Sequence, residues 1–100
     1  MSYLIGQITI HDPETYQKYV DGNREIFKRY NAETILVDEN PTILEGSWEH
    51  GHIVIIRFPS EAEALKFYHS PEYQEHVNIR WKSSDSTIIL AREGHRHHIQ

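Results

Sequence analysis

Four stretches of the chain alternate apolar and polar residues, or run apolar, in the way that β-strands do. Residues 52–58 (HIVIIRF) are almost all apolar and rich in β-branched side chains, which is typical of a strand covered on both faces. Residues 3–10 alternate weakly and predict the first strand, in which Gly6 removes a side chain where another element can approach closely. Residues 87–91 (TIILA) predict the last strand, which ends before Gly94.

The second strand is predicted in two pieces. Residues 34–37 (TILV) show a strand pattern, residues 38–41 (DENP) break it, and residues 42–48 (TILEGSW) continue it. We interpret these pieces as one interrupted or bulged strand. The short segment 49–51 then turns the chain into residues 52–58, so the second and third strands should form a hairpin whose tip carries His50 and His52.

Two helices are predicted between the strands. Asp12-Pro13 is a strong helix start, and residues 13–30 place apolar side chains on one stripe at helical spacing. Asn23 lies in the middle of that stripe, where a buried amide without hydrogen-bond partners costs about 1 to 3 kcal/mol. The sequence Ser60-x-x-Glu63 is a capping box that starts the second helix, and Ser70-Pro71 should break that helix and restart it.

The resulting order is β-α-β-β-α-β. It predicts an α+β fold of the ferredoxin-like type, in which a four-stranded antiparallel sheet carries both helices on one face. The opposite face would then expose apolar residues such as Ile53, Ile55 and Ile89 to water. A contiguous patch of this kind is typical of a partner surface, and a second sheet would cover it, so we expect a homodimer. Residues 1–94 form the predicted single domain, and residues 95–100 form a polar, His-rich tail.

Composition excludes several classes of function. The chain has no cysteine, so a disulfide framework, a thiolate nucleophile and a Cys-based zinc site are all excluded. No apolar run approaches the roughly 20 residues of a membrane span, and the N-terminus lacks a basic flank or cleavage pattern, so we expect a cytoplasmic protein that does not associate with membranes. The net charge is −5 and the basic residues are scattered, which argues against nucleic-acid binding.

Several short blocks, in order along nearly the whole chain up to Gly94, resemble a bacterial family known as domain of unknown function 1330. They are residues 3–9 with His11-Asp12-Pro13-Glu14, Leu44-Glu45-Gly46-x-Trp48, residues 54–58 with Pro59-Ser60, and Phe67-Tyr68-x-Ser70-Pro71-x-Tyr73 with Arg80. The resemblance implies a dimeric α+β barrel, in which two ferredoxin-like sheets pack face to face, and it implies no established reaction. Related families on this scaffold include cofactor-free monooxygenases, haem-degrading enzymes, dehydratase-like proteins and small-molecule sensors. The chain departs from the family at Asn31, where Gly is more usual, and in its tail.

Glu45 is the most suggestive acidic residue, because it falls within a strand pattern. A carboxylate on a covered strand face needs a cationic or donor partner, and Arg57 and Arg80 are the candidates. We predict Glu45 and Arg80 as catalytic residues that would act, with Tyr19 or Tyr73, as an acid/base and anion-orienting set for a small polar substrate. The alternative is a structural ion pair that fixes the hairpin.

Aromatic and amide side chains complete the predicted site. Tyr19, Asn23, Trp48 and Tyr73 are predicted to bind the ligand, although aromatic residues at such spacing also serve as core. His50 and His52, with the histidines of the tail, match no metal-site spacing, so no metal and no tightly bound cofactor are expected.

Three functions remain open from the sequence. The first is a domain that binds or transforms a small organic molecule. The second is a non-catalytic assembly or sensor module, for which Glu45, Asn23 and Arg80 should bond fully to one another and leave no cavity. The third is a haem- or metal-dependent protein.

Overall fold

The computed structural model describes residues 1–49 and 51–94, and their fold is the predicted β-α-β-β-α-β arrangement with the second helix in three pieces. The sheet has the strand order β2-β3-β1-β4, and every neighbouring pair of strands is antiparallel. This confirms the ferredoxin-like α+β fold. The elements are β1 Ser2–Ile10, α1 Pro13–Tyr30, β2 Glu33–Asp38, β3 His52–Phe58, α2 Glu61–Tyr68, α3 Pro71–His76, α4 Asn78–Ser83 and β4 Ser84–Arg92.

The first helix begins and ends where its end signals predict. The Asp12 carboxylate accepts from the Thr15 backbone N–H at 3.2 Å, and Pro13 occupies the first turn, where its missing N–H has no consequence. At the other end Asn31 adopts a left-handed conformation (φ 57°) and its N–H bonds to the Phe27 carbonyl. Asn is one of the few residues besides Gly that tolerate this conformation, which explains how Asn31 can replace Gly here.

The predicted break of the second helix at Ser70 is confirmed. α2 ends at Tyr68, and the Ser70 hydroxyl caps α3 by accepting from the Tyr73 N–H at 3.2 Å. A further break, which was not predicted, follows at Val77 and separates α4 from α3. The three pieces can therefore change direction and follow α1 and the sheet.

The prediction that residues 42–48 continue the second strand is wrong. β2 ends at Asp38, and its pairing already uses β3 as far as Ile53, so β3 has almost nothing left to pair with a longer strand. Gly46 adopts a positive φ of 77°, which also interrupts extended backbone. The segment is a loop, and its Leu44 is 90 % exposed. The irregularity in β2 lies earlier, at Ile35, where the register with β3 shifts by one residue.

The last strand is longer than predicted. β4 begins at Ser84 rather than at residue 87, because the nine residues of β1 pair with it throughout, from Ser2↔Arg92 to Ile10↔Ser84. Backbone pairing with a long neighbour therefore extends the strand through a polar sequence that lacks a strand pattern.

The two faces of the sheet differ in how they are covered. Leu4 and Ile8 of β1 face the helices and are buried, at 8 % and 2 % exposure. The residues that alternate with them face away from the helices, and there Leu36, Ile55, Ile5 and Ile89 lie directly opposite one another in a row across all four strands. Within residues 1–49 and 51–94, this row has no cover, as the sequence predicts for Ile55 and Ile89.

The close approach of α1 to α3 depends on Gly22. A Cβ atom at this position would lie 2.1 Å from Cε1 of His76. The imidazole instead occupies the space that a side chain on α1 would fill, and its Nε2 lies 2.8 Å from the Tyr19 carbonyl oxygen. Glycine in a helix interior is normally unfavourable, so close packing against His76 explains its presence here.

We therefore expect the effect of Gly22→Ala on stability to have opposite signs in the wild type and in a His76→Ala background. In the wild type it should destabilise by about 1 kcal/mol or more, because the imidazole must move and lose its contacts. In a His76→Ala background the same substitution should stabilise by up to about 1 kcal/mol, because only helix propensity remains. Urea unfolding of the four proteins of this cycle gives both values, and an equal effect in the two backgrounds would contradict the packing account.

Candidate functional site

A cavity of about 430 Å³ separates α1 from the sheet. Its floor is mainly apolar and includes Ile8, Val54 and Ile88, and its roof is α1. The lining residues at its outer side, among them Val20 of α1 and Val37 of β2, are exposed. The cavity therefore opens to solvent between α1 and the edge strand β2, which α1 does not cover.

The absence of a side chain at Gly6 leaves space for the cavity above the sheet. A Cβ atom at this position would lie 3.0 Å from Ile88 Cδ1 and 3.1 Å from Val54 Cγ1, closer than ordinary van der Waals contact. Any side chain at residue 6 would thus crowd the floor and occupy space beneath α1. Gly6, the residue without a side chain in the first strand, therefore lines the cavity.

Tyr19 is the centre of a polar cluster at the inner end of the cavity. Its hydroxyl lies 2.5 Å from the Tyr73 hydroxyl, and both side chains are buried. Its ring stacks on the His76 imidazole, with centroids 5.3 Å apart and planes 15° apart. The Arg80 guanidinium lies 5.8 Å from the centroid of the same ring, within the range of a cation–π interaction.

Arg80 carries a buried charge that lacks a counterion among the described residues. The residue is 2 % exposed, and its Nη1 donates to the neutral Ser86 hydroxyl. Its Nε is enclosed and has no acceptor in the part of the chain that the structure describes. Burial works against the charged form, but the neighbouring Tyr19 and Tyr73 outweigh it and raise the pKa of Arg80, so the guanidinium stays charged.

Asn23 supplies a second unsatisfied group. It is 7 % exposed, and its Oδ1 is enclosed without a hydrogen-bond donor. An unmade hydrogen bond of a buried polar atom typically costs about 1 to 3 kcal/mol. Asn23 and Arg80, the two residues that carry these enclosed atoms, both line the cavity.

Tyr73 and Tyr16, two of the buried tyrosines of the site, are neutral. Burial raises the pKa of Tyr73 far above its ordinary value, and its neighbour Tyr19 raises it further, although Arg80 acts in the opposite direction. Burial likewise raises the pKa of Tyr16, which packs beside Tyr19 with ring centroids 5.5 Å apart. These hydroxyls are therefore hydrogen-bond donors at physiological pH.

Four of the six residues predicted as a site surround this one cavity: Tyr19, Asn23, Tyr73 and Arg80. The other two, Glu45 and Trp48, do not line it. Glu45 is exposed in the loop after β2, so its predicted place on a covered strand is wrong. Arg57, its candidate partner, pairs with Glu33 instead. Trp48 is half-buried, and its Nε1 is enclosed without an acceptor.

Sequence reasoning missed three residues of the site. Tyr16 is not among the predicted site residues, yet it lines the cavity beside His52. From the sequence, His52 is weighed as a residue of the hairpin tip and as a metal ligand, but not as a ligand-binding residue. His76 was not considered, although Gly22 in the middle of a helix is the signal that points to a close neighbour.

The described part of the chain contains no group of three His, Asp or Glu side chains that could hold a metal ion. His50 and the tail histidines lie outside the described residues. None of the helices in residues 1–49 and 51–94 is long and apolar enough to cross a membrane.

Comparison with known proteins gives a family and a fold. The family described as Domain of unknown function (DUF1330) matches residues 1–93. No match to a curated protein was found.

Solved structures share the fold at low sequence identity. RPA0582 of Rhodopseudomonas palustris, a protein of unknown function, has a TM-score of 0.75 at 21 % identity, over 92 % of this chain and 81 % of its own. SnoaB of Streptomyces nogalater, a cofactor-independent oxygenase, has a TM-score of 0.62 at 16 % identity, over 96 % and 97 %. An antibiotic biosynthesis monooxygenase has a TM-score of 0.54 at 20 % identity, over 93 % and 98 %.

The raised pKa values of Tyr16 and Tyr73 predict how stability changes in alkali. Both values exceed the ordinary value of 10.0, so the unfolded chain loses these protons first. The contribution of these two protonated tyrosines to the free energy of unfolding is thus complete below about pH 10, and it is lost as the pH rises above that value. Tyrosinate absorbance should show that Tyr73→Phe leaves the ionisation of the folded protein up to about pH 11 unchanged. A smaller tyrosinate signal in this variant would show that Tyr73 ionises without unfolding.

Proposed function

The chain belongs to the family described as Domain of unknown function (DUF1330), and on this premise we propose that it is a homodimeric α+β barrel protein that binds a small organic molecule in the cavity of each subunit. The observation that carries the proposal is the convergence of Tyr19, Tyr73 and Arg80 on one end of a mainly apolar cavity. Small-molecule sites are typically mainly apolar clefts of about 300 to 1,000 Å³ with a few polar groups that orient the ligand. The cavity of about 430 Å³ fits this description.

The unsatisfied polar atoms favour a site over a merely structural cluster. An assembly module would bond Asn23, Arg80 and Glu45 to one another and close the space between α1 and the sheet. Here Asn23 Oδ1 and Arg80 Nε lack partners among residues 1–49 and 51–94, and the space is open. Because unmet hydrogen bonds destabilise the folded protein, a ligand that satisfies them gains affinity.

Arg80 is also the group best suited to a catalytic role. A guanidinium that is itself buried, as Arg80 is, would stabilise negative charge that develops on a bound molecule. Tyr73, which is held neutral, is positioned as a proton donor. Glu45 is not part of the proposed site, since it lies in an exposed loop.

The homodimer follows from the uncovered face of the sheet. The apolar row that crosses the four strands ends in Leu36 and Ile89, which are 44 % and 54 % exposed. If a second copy of the chain packed the same face against this one about a two-fold axis, each copy would cover the apolar row of the other. The cavity lies on the opposite, helical side of the sheet, so dimer formation in this way leaves it open.

Occupation of the cavity can be tested with the neutral fluorescent probe N-phenyl-1-naphthylamine. The wild type should bind it saturably, with one site per chain, and Val54→Phe should weaken binding by about tenfold or more because the larger ring fills the cavity. Leu65→Phe is the control, since Leu65 is exposed on α2 and does not line the cavity. Equal binding by wild type and Val54→Phe would show that the probe lies elsewhere and would contradict the proposed site.

Light scattering tests the dimer. At micromolar concentration the wild type should have about twice the chain mass of 11.8 kDa. Ile89→Asp should shift it to the monomer, because it places a charge in the apolar row. Leu65→Asp, which changes an exposed apolar residue on α2, should remain dimeric. A folded wild-type monomer at this concentration would refute the homodimer.

A further inference from the structure

We infer that the ligand of the cavity is an organic carboxylate with an apolar body and a hydrogen-bond donor some distance from the carboxylate. The inference rests on the proposed function and adds the chemical class of the ligand. It is drawn from the charge and the unsatisfied atoms of the cavity, namely those of Arg80, the tyrosine pair and Asn23.

The first step is the unbalanced charge at the inner end. The Arg80 guanidinium is 2 % exposed, and among the described residues no carboxylate forms an ion pair with it. A buried charge is ordinarily paired, because removing it from water without a counterion is very unfavourable. A bound anion in this cavity would supply that counterion.

The second step is the supply of donors. The Tyr19 and Tyr73 hydroxyls lie 2.5 Å apart, and the hydrogen bond between them uses only one of their two protons. The second proton is free to bond to a ligand. Among the described residues Arg80 Nε–H is unused, but it is enclosed, so binding would require the guanidinium to turn this donor toward the cavity. One O–H donor and one N–H donor match the two oxygens of a carboxylate.

The third step separates a carboxylate from a phosphate. A phosphate group carries close to two negative charges at neutral pH and needs more donors. Arg24, the other cation that lines the cavity, is exposed and lies 3.5 Å from Asp21. The N-terminus of α1 at Pro13 is already capped by the Asp12 carboxylate. Glu39, on the outer side of the cavity, would repel a second negative charge.

The fourth step concerns the other end of the ligand. Asn23 Oδ1 is an acceptor without a donor, on the helix that forms the roof. Between it and Arg80 the cavity surface is largely apolar. A hydroxyl or amine on the body of the ligand would satisfy Asn23, while the body itself would bury apolar surface.

The test uses 3-hydroxybenzoate and its neutral counterpart 3-hydroxybenzamide as competitors of N-phenyl-1-naphthylamine at pH 7. On the wild type the acid should displace the probe at about tenfold lower concentration than the amide, because charge-assisted hydrogen bonds are about twice as strong as neutral ones. Arg80→Met should reduce this ratio to about one, and Arg80→Lys should restore part of it. Arg24→Met, the matched control, should retain the wild-type ratio.

The outcomes separate the two proposals. Equal displacement by acid and amide, or failure of both to compete for a probe that Val54→Phe excludes, would overturn the carboxylate and leave the binding site standing. Probe binding that Val54→Phe does not change would remove the site itself and the inference with it. Thermal unfolding and probe binding of Arg80→Met show whether that variant is folded, and Arg80→Lys provides the same comparison with the charge retained.

Discussion

The site depends on the way Tyr19 joins α1 to α3 and α4. One ring stacks on His76, lies within cation–π distance of Arg80 and bonds through its hydroxyl to Tyr73. These contacts place α1 against the other helices rather than flat on the sheet. Gly22 allows the approach, because any larger residue would meet the imidazole. The consequence is a space beneath α1 whose inner end is lined by Tyr19, Tyr73 and Arg80.

The same limited helical layer determines both surfaces of the sheet. Three short helical pieces and α1 cover one face incompletely, which leaves the cavity beside β2, and they leave the other face bare. The cavity and the apolar row are therefore separated by the thickness of one sheet. Changes that block the cavity, such as a larger side chain at Val54, should leave the proposed dimer surface unaltered. This separation allows the two proposals to be tested independently.

Much of the fold was predictable because local signals agree with the final pairing. The bounds of α1 follow from Asp12, Pro13 and the apolar stripe, and β3 follows from one apolar run. These local signals failed to predict the strands whose limits are determined by backbone pairing with a neighbouring strand. Residues 42–48 have a strand-like composition, but β2 already pairs with β3 as far as Ile53, so little of β3 is left for them. β4, in contrast, gains polar residues because β1 pairs with them.

The candidate site was predictable only in part, for a related reason. Asn23 was identifiable because an amide on an apolar helix stripe is unusual, and Arg80, Tyr19 and Tyr73 were identifiable as polar or amphipathic residues of the helices. Glu45 was assigned to the site through a strand that does not form. His76 was missed, since its role arises from contact between two helices that no spacing along the chain reveals.

The most direct test of the central claim is the resonance of the Arg80 Nε–H in side-chain ¹⁵N NMR, identified by its loss in Arg80→Lys. Our account predicts that titration with 3-hydroxybenzoate moves this resonance downfield, because the ligand provides the acceptor that Nε lacks. The benzamide should move it much less. A resonance that already reports a strong hydrogen bond without ligand, and that neither compound moves, would show that Arg80 is satisfied within the protein and would contradict the account.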